Sequence, residues 1–132
     1  MRHADAAPGE PDELRPLTSR GRQQARDLGA RLAARGVVGA TVLSSPLLRA
    51  RETAEEIARA LGTTPETDER LAPGATATGV RAAVTERGEN VVAVGHQPDC
   101  SRVAAELTAG PEPSFPKAGL VVIELPGLRS GR

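Results

Sequence analysis

A predicted strand leads directly into a predicted helix in the stretch Ala40-Thr41-Val42-Leu43-Ser44-Ser45-Pro46-Leu47-Leu48-Arg49-Ala50. This connection from strand to helix indicates the fold class. Residues 40–44 are apolar enough for a buried strand. Ser45 can cap the helix that follows, and Pro46 suits a first helical turn. The pattern therefore predicts a helix that starts at Pro46 and carries Arg49 in its first turn, close to the carboxyl end of the strand.

Helical and strand-like segments alternate along the rest of the chain, which favours an α/β sheet. The spacing of apolar residues predicts helices over 19–35, 46–62, 80–86 and 99–108, strands over 40–44, 90–94 and 120–125, and one short strand within 63–78. Ligands of open parallel sheets bind beyond the carboxyl ends of the strands. Because His96 directly follows the strand 90–94, we expect His96 and Arg49 to face one crevice.

Composition narrows the class of protein. The 132 residues fit one domain, which we place at 1–126, with 127–132 as a disordered tail. Acidic and basic residues balance at 17 each, so nucleic acid and membrane surfaces are not expected as partners. Phe115 is the only Phe, Tyr or Trp, which leaves nothing on which bases could stack.

The small number of cysteines and histidines bears on the compartment and on metal binding. A single cysteine is typical of a reducing compartment. A single cysteine excludes an internal disulfide, and one cysteine with two histidines makes a poor zinc-ligand set. The sequence also has no apolar run of membrane-spanning length and no apolar secretory segment at its start. We therefore expect a soluble, cytoplasmic monomer without a bound metal.

The two histidines, together with Arg2 and Arg49, are residues that could catalyse phosphoryl transfer. Arg2 and Arg49 offer guanidinium forks that match phosphate bidentately. A neutral His3 can attack phosphorus and form a covalent phosphohistidine. His96, if protonated, would stabilise the charge of the transition state, and a bound phosphate dianion would favour that protonation. The two arginines and the imidazolium of His96 provide enough positive charge that neither a metal nor another cofactor is required.

Four motifs in order resemble those of the histidine phosphatase superfamily: Arg2-His3-Ala4-Asp5-Ala6, Leu17-Thr18-Ser19-Arg20-Gly21, Ser44-Ser45-Pro46-Leu47-Leu48-Arg49-Ala50 with Glu52-Thr53-Ala54, and Gly95-His96-Gln97-Pro98. They look most like the SixA-type phosphohistidine phosphatase branch. The resemblance covers nearly the whole chain and implies a three-layer α/β/α sandwich with a mostly parallel central sheet, the phosphoglycerate mutase-like fold. It also implies that His3 is the nucleophile and that Arg2, Arg49 and His96 complete the phosphate pocket.

The function implied by this resemblance is that of a metal-independent phosphatase with a phosphohistidine intermediate. Its substrate would be phosphohistidine on a protein, such as a phosphotransfer domain of a signal-transduction relay. Two alternatives stay open. One is a phosphatase of a small phosphorylated metabolite, and the other is a non-catalytic domain that binds phosphate groups or partners.

No carboxylic acid is marked by its spacing as a proton donor. Larger members of the superfamily use such an acid to protonate an alkoxide leaving group. The candidates here are Asp5, Glu10, Glu13, Asp68 and Glu69, with Asp5 and Glu69 preferred, and Asp5 could instead orient Arg2. Phosphohistidine releases an imidazole, whose free pKa is about 6.5, and it therefore needs less help from an acid. The weak acid signal thus favours a substrate with a P–N bond.

The chain begins at Met1-Arg2-His3, whereas members of the superfamily are expected to carry a short apolar strand before this motif. The end of the chain is also short by comparison. We therefore expect that the first strand of the domain is missing and that His3 is weakly anchored. On this hypothesis, about five apolar residues added before Met1 would raise the melting temperature.

Overall fold

A computed structural model describes residues 1–124 of the chain. Three parallel strands form a sheet in the order β2-β1-β3, with β1 at Thr41–Ser44, β2 at Glu66–Thr67 and β3 at Val91–Val94. The helices are α1 (Ser19–Ala34), α2 (Leu48–Leu61), α3 (Ala77–Thr85) and α4 (Asp99–Thr108), with short 3-10 helices at Asp12–Leu14 and Glu69–Leu71. None of the described helices is long and apolar enough to cross a membrane.

The strands carry apolar side chains on both faces, and helices cover both. Val42 and Val94 are fully buried against Ile57 on the face that α1 and α2 cover. The next residue along β1, Leu43, points the other way and packs with Ala83 of α3, as the alternation of side chains along a strand requires. Helix α4 packs against α3. The predicted three-layer α/β/α sandwich is therefore confirmed.

Helix α1 begins where the sequence predicts. Thr18 is its cap, and the hydroxyl of Thr18 accepts a hydrogen bond from the N–H of Gly21 at 2.9 Å. Gly21 also permits a close approach of α1 to the segment that follows His3. A Cβ atom at Gly21 would lie 2.0 Å from the carbonyl oxygen of Asp5, so only glycine fits at this crossing.

Helix α2 begins later than predicted. It starts at Leu48, because Leu47 keeps an extended backbone with ψ of 141°, and Pro46 therefore lies before the helix. The predicted cap, Ser45, instead accepts a hydrogen bond from the N–H of Leu47 at 3.2 Å. The end of α2 at Gly62 is as predicted, with Gly62 in the left-handed region at φ of 75°.

The predicted strand 120–125 does not form in residues 120–124. Residue 125 and the predicted disordered tail 127–132 lie outside the described residues. The backbone next to this segment belongs to the start of the chain: Arg2 donates to Gly119 at 3.0 Å, and Ala118 donates to His3 at 3.1 Å. The start of the chain therefore pairs with residues 118 and 119 rather than with the predicted strand.

The first three residues extend the sheet beside β3. The carbonyl oxygen of Met1 accepts from the N–H of Gly95 at 2.9 Å, and the N–H of His3 donates to the carbonyl oxygen of Gly95 at 3.0 Å. Arg2 and Gly95 form a parallel bridge. His3 is thus held through its backbone from both sides, by Gly95 and by Ala118, which places it in register with the end of β3.

The effect of an added upstream segment stays a prediction. An apolar cavity of about 300 Å³ lies next to Met1 and is lined in part by Val92, Val103, Leu107 and Leu120. About five apolar residues placed before Met1 would continue the parallel pairing along β3 and fill this cavity, and we expect the melting temperature to rise by about 5 °C or more. Thermal melts followed by circular dichroism check this. An extension of equal length made of glycine and serine is the control, and equal melting temperatures for the two extensions would contradict the prediction.

Candidate active site

The two ring nitrogens of His3 have different environments: Nδ1 is hydrogen-bonded to the backbone, and Nε2 is available to attack a substrate. Its Nδ1 lies 2.7 Å from the carbonyl oxygen of Ala4. Because a carbonyl can only accept, Nδ1 carries the proton, and a neutral ring then has its lone pair on Nε2. Burial lowers the pKa of His3, and the positive charges of Arg49 and Arg2 lower it further. The neutral, nucleophilic form is therefore the one favoured at neutral pH.

Arg49 lies in the first turn of α2 and is almost buried, with 7% of its surface exposed. Its Nη1 donates to the backbone carbonyl of Asp12 at 2.9 Å, and its Nη2 donates to Asp12 Oδ2 at 3.2 Å. Two of its five N–H groups are used in this way, and within residues 1–124 the structure gives no partner for the other three. A buried guanidinium with free donors is well suited to bind an anion.

Arg2 lies between His3 and the first residue of the chain. Its Nη1 donates to the carbonyl oxygen of Phe115 at 3.1 Å. Its Nε is buried and has no hydrogen-bond partner among the described residues. Buried donors are nearly always paired, so this one indicates a place where a ligand could bind.

His96 follows β3 directly, and only 4% of its surface is exposed. Its Nε2 lies 2.7 Å from the hydroxyl of Ser45, and its Nδ1 is buried without a partner among the described residues. The ring centroids of His96 and His3 are 5.2 Å apart. Burial, together with His3 and Arg49, lowers the pKa of His96 to about 4. In the absence of a phosphate His96 is therefore neutral at neutral pH, and its protonation on phosphate binding stays a prediction.

The four residues for which the sequence predicted a site meet at one cavity of about 320 Å³. Its lining consists of Arg2, His3, Ala6, Asp12, Arg15, Arg49, Pro73, His96, Gln97 and Lys117. The cavity lies at the carboxyl ends of the parallel strands, where ligands of such sheets bind. Four of the lining side chains are Arg or Lys and one is a carboxylate, so the cavity attracts anions.

The structure does not bring Asp5 and Glu69 into this cavity. The carboxylate of Asp5 accepts hydrogen bonds from Lys117 at 2.6 Å and from Thr18 at 2.7 Å, away from Arg2. These contacts, with Lys117 first, lower the pKa of Asp5. Glu69 is exposed on its short 3-10 helix. Neither carboxylate lines the cavity that holds His3.

Asp12 is the cavity-lining carboxylate that sequence reasoning missed. Its Oδ1 accepts from Arg15 Nη1 at 3.0 Å, and its Oδ2 accepts from Arg49 Nη2 at 3.2 Å. The hydrogen bond from Arg15, and then the charge of Arg49, lower the pKa of Asp12. The sequence around Asp12 has no apolar periodicity, and the spacing Asp12-x-x-Arg15 is too common to single it out.

Comparisons with known proteins agree with this geometry. The sequence profile described as histidine phosphatase superfamily (branch 1) matches residues 8–73. An uncharacterised protein of Picosynechococcus sp. is 39% identical over an alignment of 137 residues. The alignment covers 97% of this chain and 79% of that protein. The phosphohistidine phosphatase SixA of Escherichia coli is 33% identical over 120 residues, covering 86% of this chain and 74% of that protein.

A solved structure supports the same relationship. The protein histidine phosphatase SixA, complexed with tungstate, superposes on this chain with a TM-score of 0.80 at 31% identity. The superposition covers 89% of this chain and 80% of that one. The structural similarity therefore extends over most of the chain.

Proposed function

The chain belongs to the histidine phosphatase superfamily and is a phosphatase, and from this premise we propose that it removes phosphate from phosphohistidine with His3 as the nucleophile. In the first step the lone pair on Nε2 of His3 forms a bond to phosphorus while the P–N bond of the substrate breaks. The electron pair of that bond leaves with the imidazole. Water then attacks the phosphohistidine at His3 and releases orthophosphate.

The guanidinium groups of Arg2 and Arg49 neutralise the oxygens of the transferred phosphoryl group. Both flank His3 and line its cavity. Nε of the Arg2 guanidinium has no partner among the described residues, and Nδ1 of His96, when it carries a proton, is a further donor for these oxygens. That a related enzyme binds tungstate, an oxyanion, supports the same use of the cavity here.

One observation favours a P–N substrate over an alkyl phosphate. Asp12 is the only carboxylate among the described residues that line the cavity, and Arg15 and Arg49 both pair with it. These ion pairs keep Asp12 ionised, so it has no proton to give to a leaving alkoxide at neutral pH. An imidazole leaving group needs no such proton when its distal ring nitrogen is already protonated. We therefore infer that the natural substrate is a phosphohistidine, carried by a protein such as a phosphotransfer domain.

A substrate panel tests this function. We expect the enzyme to turn over a phosphohistidine protein and also an aryl phosphate, because a phenolate leaves without a general acid. A sugar phosphate of similar size should have a kcat/KM lower by about 10² or more, since it lacks general-acid assistance. Equal kcat/KM values for the sugar phosphate and the phosphohistidine protein would favour the metabolite phosphatase instead. Phosphate binding without turnover of any of the three substrates would indicate a non-catalytic domain.

A further inference from the structure

Asp12 places an anion where the product of the reaction would bind. The Arg49 guanidinium donates to Asp12 twice, once to its backbone carbonyl at 2.9 Å and once to its carboxylate at 3.2 Å. The other carboxylate oxygen of Asp12 accepts from Arg15 at 3.0 Å. Both arginines line the same cavity as His3. The carboxylate of Asp12 therefore accepts from donors that a phosphate in this cavity would also use.

The two partners of this ion pair differ in their freedom to move. The side chain of Asp12 is 58% exposed, whereas that of Arg49 is 9% exposed. Asp12 begins the 3-10 helix Asp12–Leu14, in which no residue is buried. Turning the carboxylate into water would therefore disturb little packing, while Arg49 is fixed by its position in α2. Asp12 is the partner that can give way to an incoming anion.

We propose that Asp12 is an internal counter-anion that competes with phosphate for Arg49 and Arg15 and thereby promotes release of the product. Three arginines and two histidines around one cavity would hold orthophosphate tightly, which would slow an enzyme that must release it. The carboxylate of Asp12 opposes this in two ways: it satisfies the same N–H groups, and it repels the phosphate dianion. The proposal rests on the proposed function only in that orthophosphate binds in this cavity.

A positioning role for Asp12 would give the opposite result. If Asp12 served only to hold Arg49 in place, its loss would weaken phosphate binding or leave it unchanged. The pKa of Asp12, held low by Arg15 and then Arg49, also argues against its use as a proton donor. The substitution Asp12→Asn separates these roles, because it removes the charge and keeps both the backbone carbonyl and an amide oxygen as acceptors.

The experiment is calorimetric titration of inorganic phosphate into the wild-type protein, Asp12→Asn and Glu13→Gln. We expect Asp12→Asn to lower the Kd for phosphate about tenfold, since a like charge beside the ligand is removed. The inhibition constant of phosphate in turnover assays should fall in parallel. Glu13→Gln removes the same charge from the neighbouring exposed residue, which does not line the cavity, and its Kd should stay within about twofold of wild type.

Each outcome decides the proposal. It is overturned by an unchanged or higher Kd in Asp12→Asn, and equally by the same decrease in Glu13→Gln, which would indicate a general effect of net charge. Absence of phosphate binding in all three proteins overturns it as well. Because binding is measured without turnover, the proposed function is tested separately: tighter phosphate binding by Asp12→Asn could stand even if phosphohistidine were not hydrolysed.

Discussion

The His3→Ala variant is expected to lose phosphatase activity by about 10⁴-fold or more, because it removes the atom that forms the covalent bond to phosphorus. Wild-type protein mixed with a ³²P-labelled substrate and quenched rapidly should carry acid-labile label. His3→Ala should carry none. Residual hydrolysis would reflect only the charge stabilisation provided by Arg2, Arg49 and His96.

The variant His96→Ala is the matched control, because it tests whether loss of the label is specific to His3. His96→Ala should slow turnover yet still become labelled, because the nucleophilic Nε2 of His3 is retained. Both variants must also keep the melting temperature of the wild type to within a few degrees. Labelling of His3→Ala at the wild-type level would show that another side chain attacks phosphorus.

The pH dependence of labelling follows from the environment of His3. Burial, and then the neighbouring arginines, lower its pKa, so the ring loses its proton at a lower pH than an exposed histidine does. The attacking form is the neutral one. Labelling should therefore persist as the pH falls below about 6.5, the ordinary pKa of histidine, and decline only at more acidic pH. A decline centred above pH 6.5 would contradict the buried environment described for His3.

Periodicity in the sequence was enough to predict an α/β sheet with alternating helices and strands, whereas the three-layer sandwich was implied by the family resemblance. Strand β3 is a short, continuous apolar run within the predicted range 90–94, and helix α4 begins and ends at the predicted residues. The positions of Arg49 and His96 relative to β1 and β3 then brought both to one end of the sheet. Local signals determine such elements, because apolar spacing reports directly which face of a helix or strand is buried.

The features that the sequence did not predict depend on contacts between distant segments. Ser45 looked like a cap, but its hydroxyl lies 2.7 Å from Nε2 of His96, 51 residues away. Asp5, only two residues from His3, was one candidate for an acid or for a residue that orients Arg2, yet its carboxylate accepts a hydrogen bond from Lys117. Asp12 enters the cavity from a segment without periodicity. Hydrogen-bond partners of this kind cannot be derived from local spacing, because they are fixed only once the layers pack.

Arg49→Ala is expected to lower kcat/KM by about 30- to 150-fold, which corresponds to about 2–3 kcal/mol of transition-state stabilisation. The loss should appear mainly in the chemical step, since the guanidinium meets the most charge when the phosphoryl group is in transfer. Arg51→Ala is the matched control, because Arg51 lies on the same helix, is exposed and does not line the cavity. It should retain nearly full activity.

The same variant tests the coupling between Arg49 and Asp12. With Arg49 replaced by alanine, Asp12 no longer competes for that guanidinium, so adding Asp12→Asn should tighten phosphate binding less than it does in the wild-type background, because only the repulsion of phosphate and the competition for Arg15 are then removed. A charge effect that did not pass through Arg49 would be equal in both backgrounds. Near-wild-type turnover of Arg49→Ala would refute the assignment of Arg49 to the phosphate site. A third result is that Arg49→Ala loses turnover while Asp12→Asn tightens phosphate binding equally in both backgrounds. Arg49 would then stabilise the transition state, and Asp12 would act on phosphate binding through Arg15.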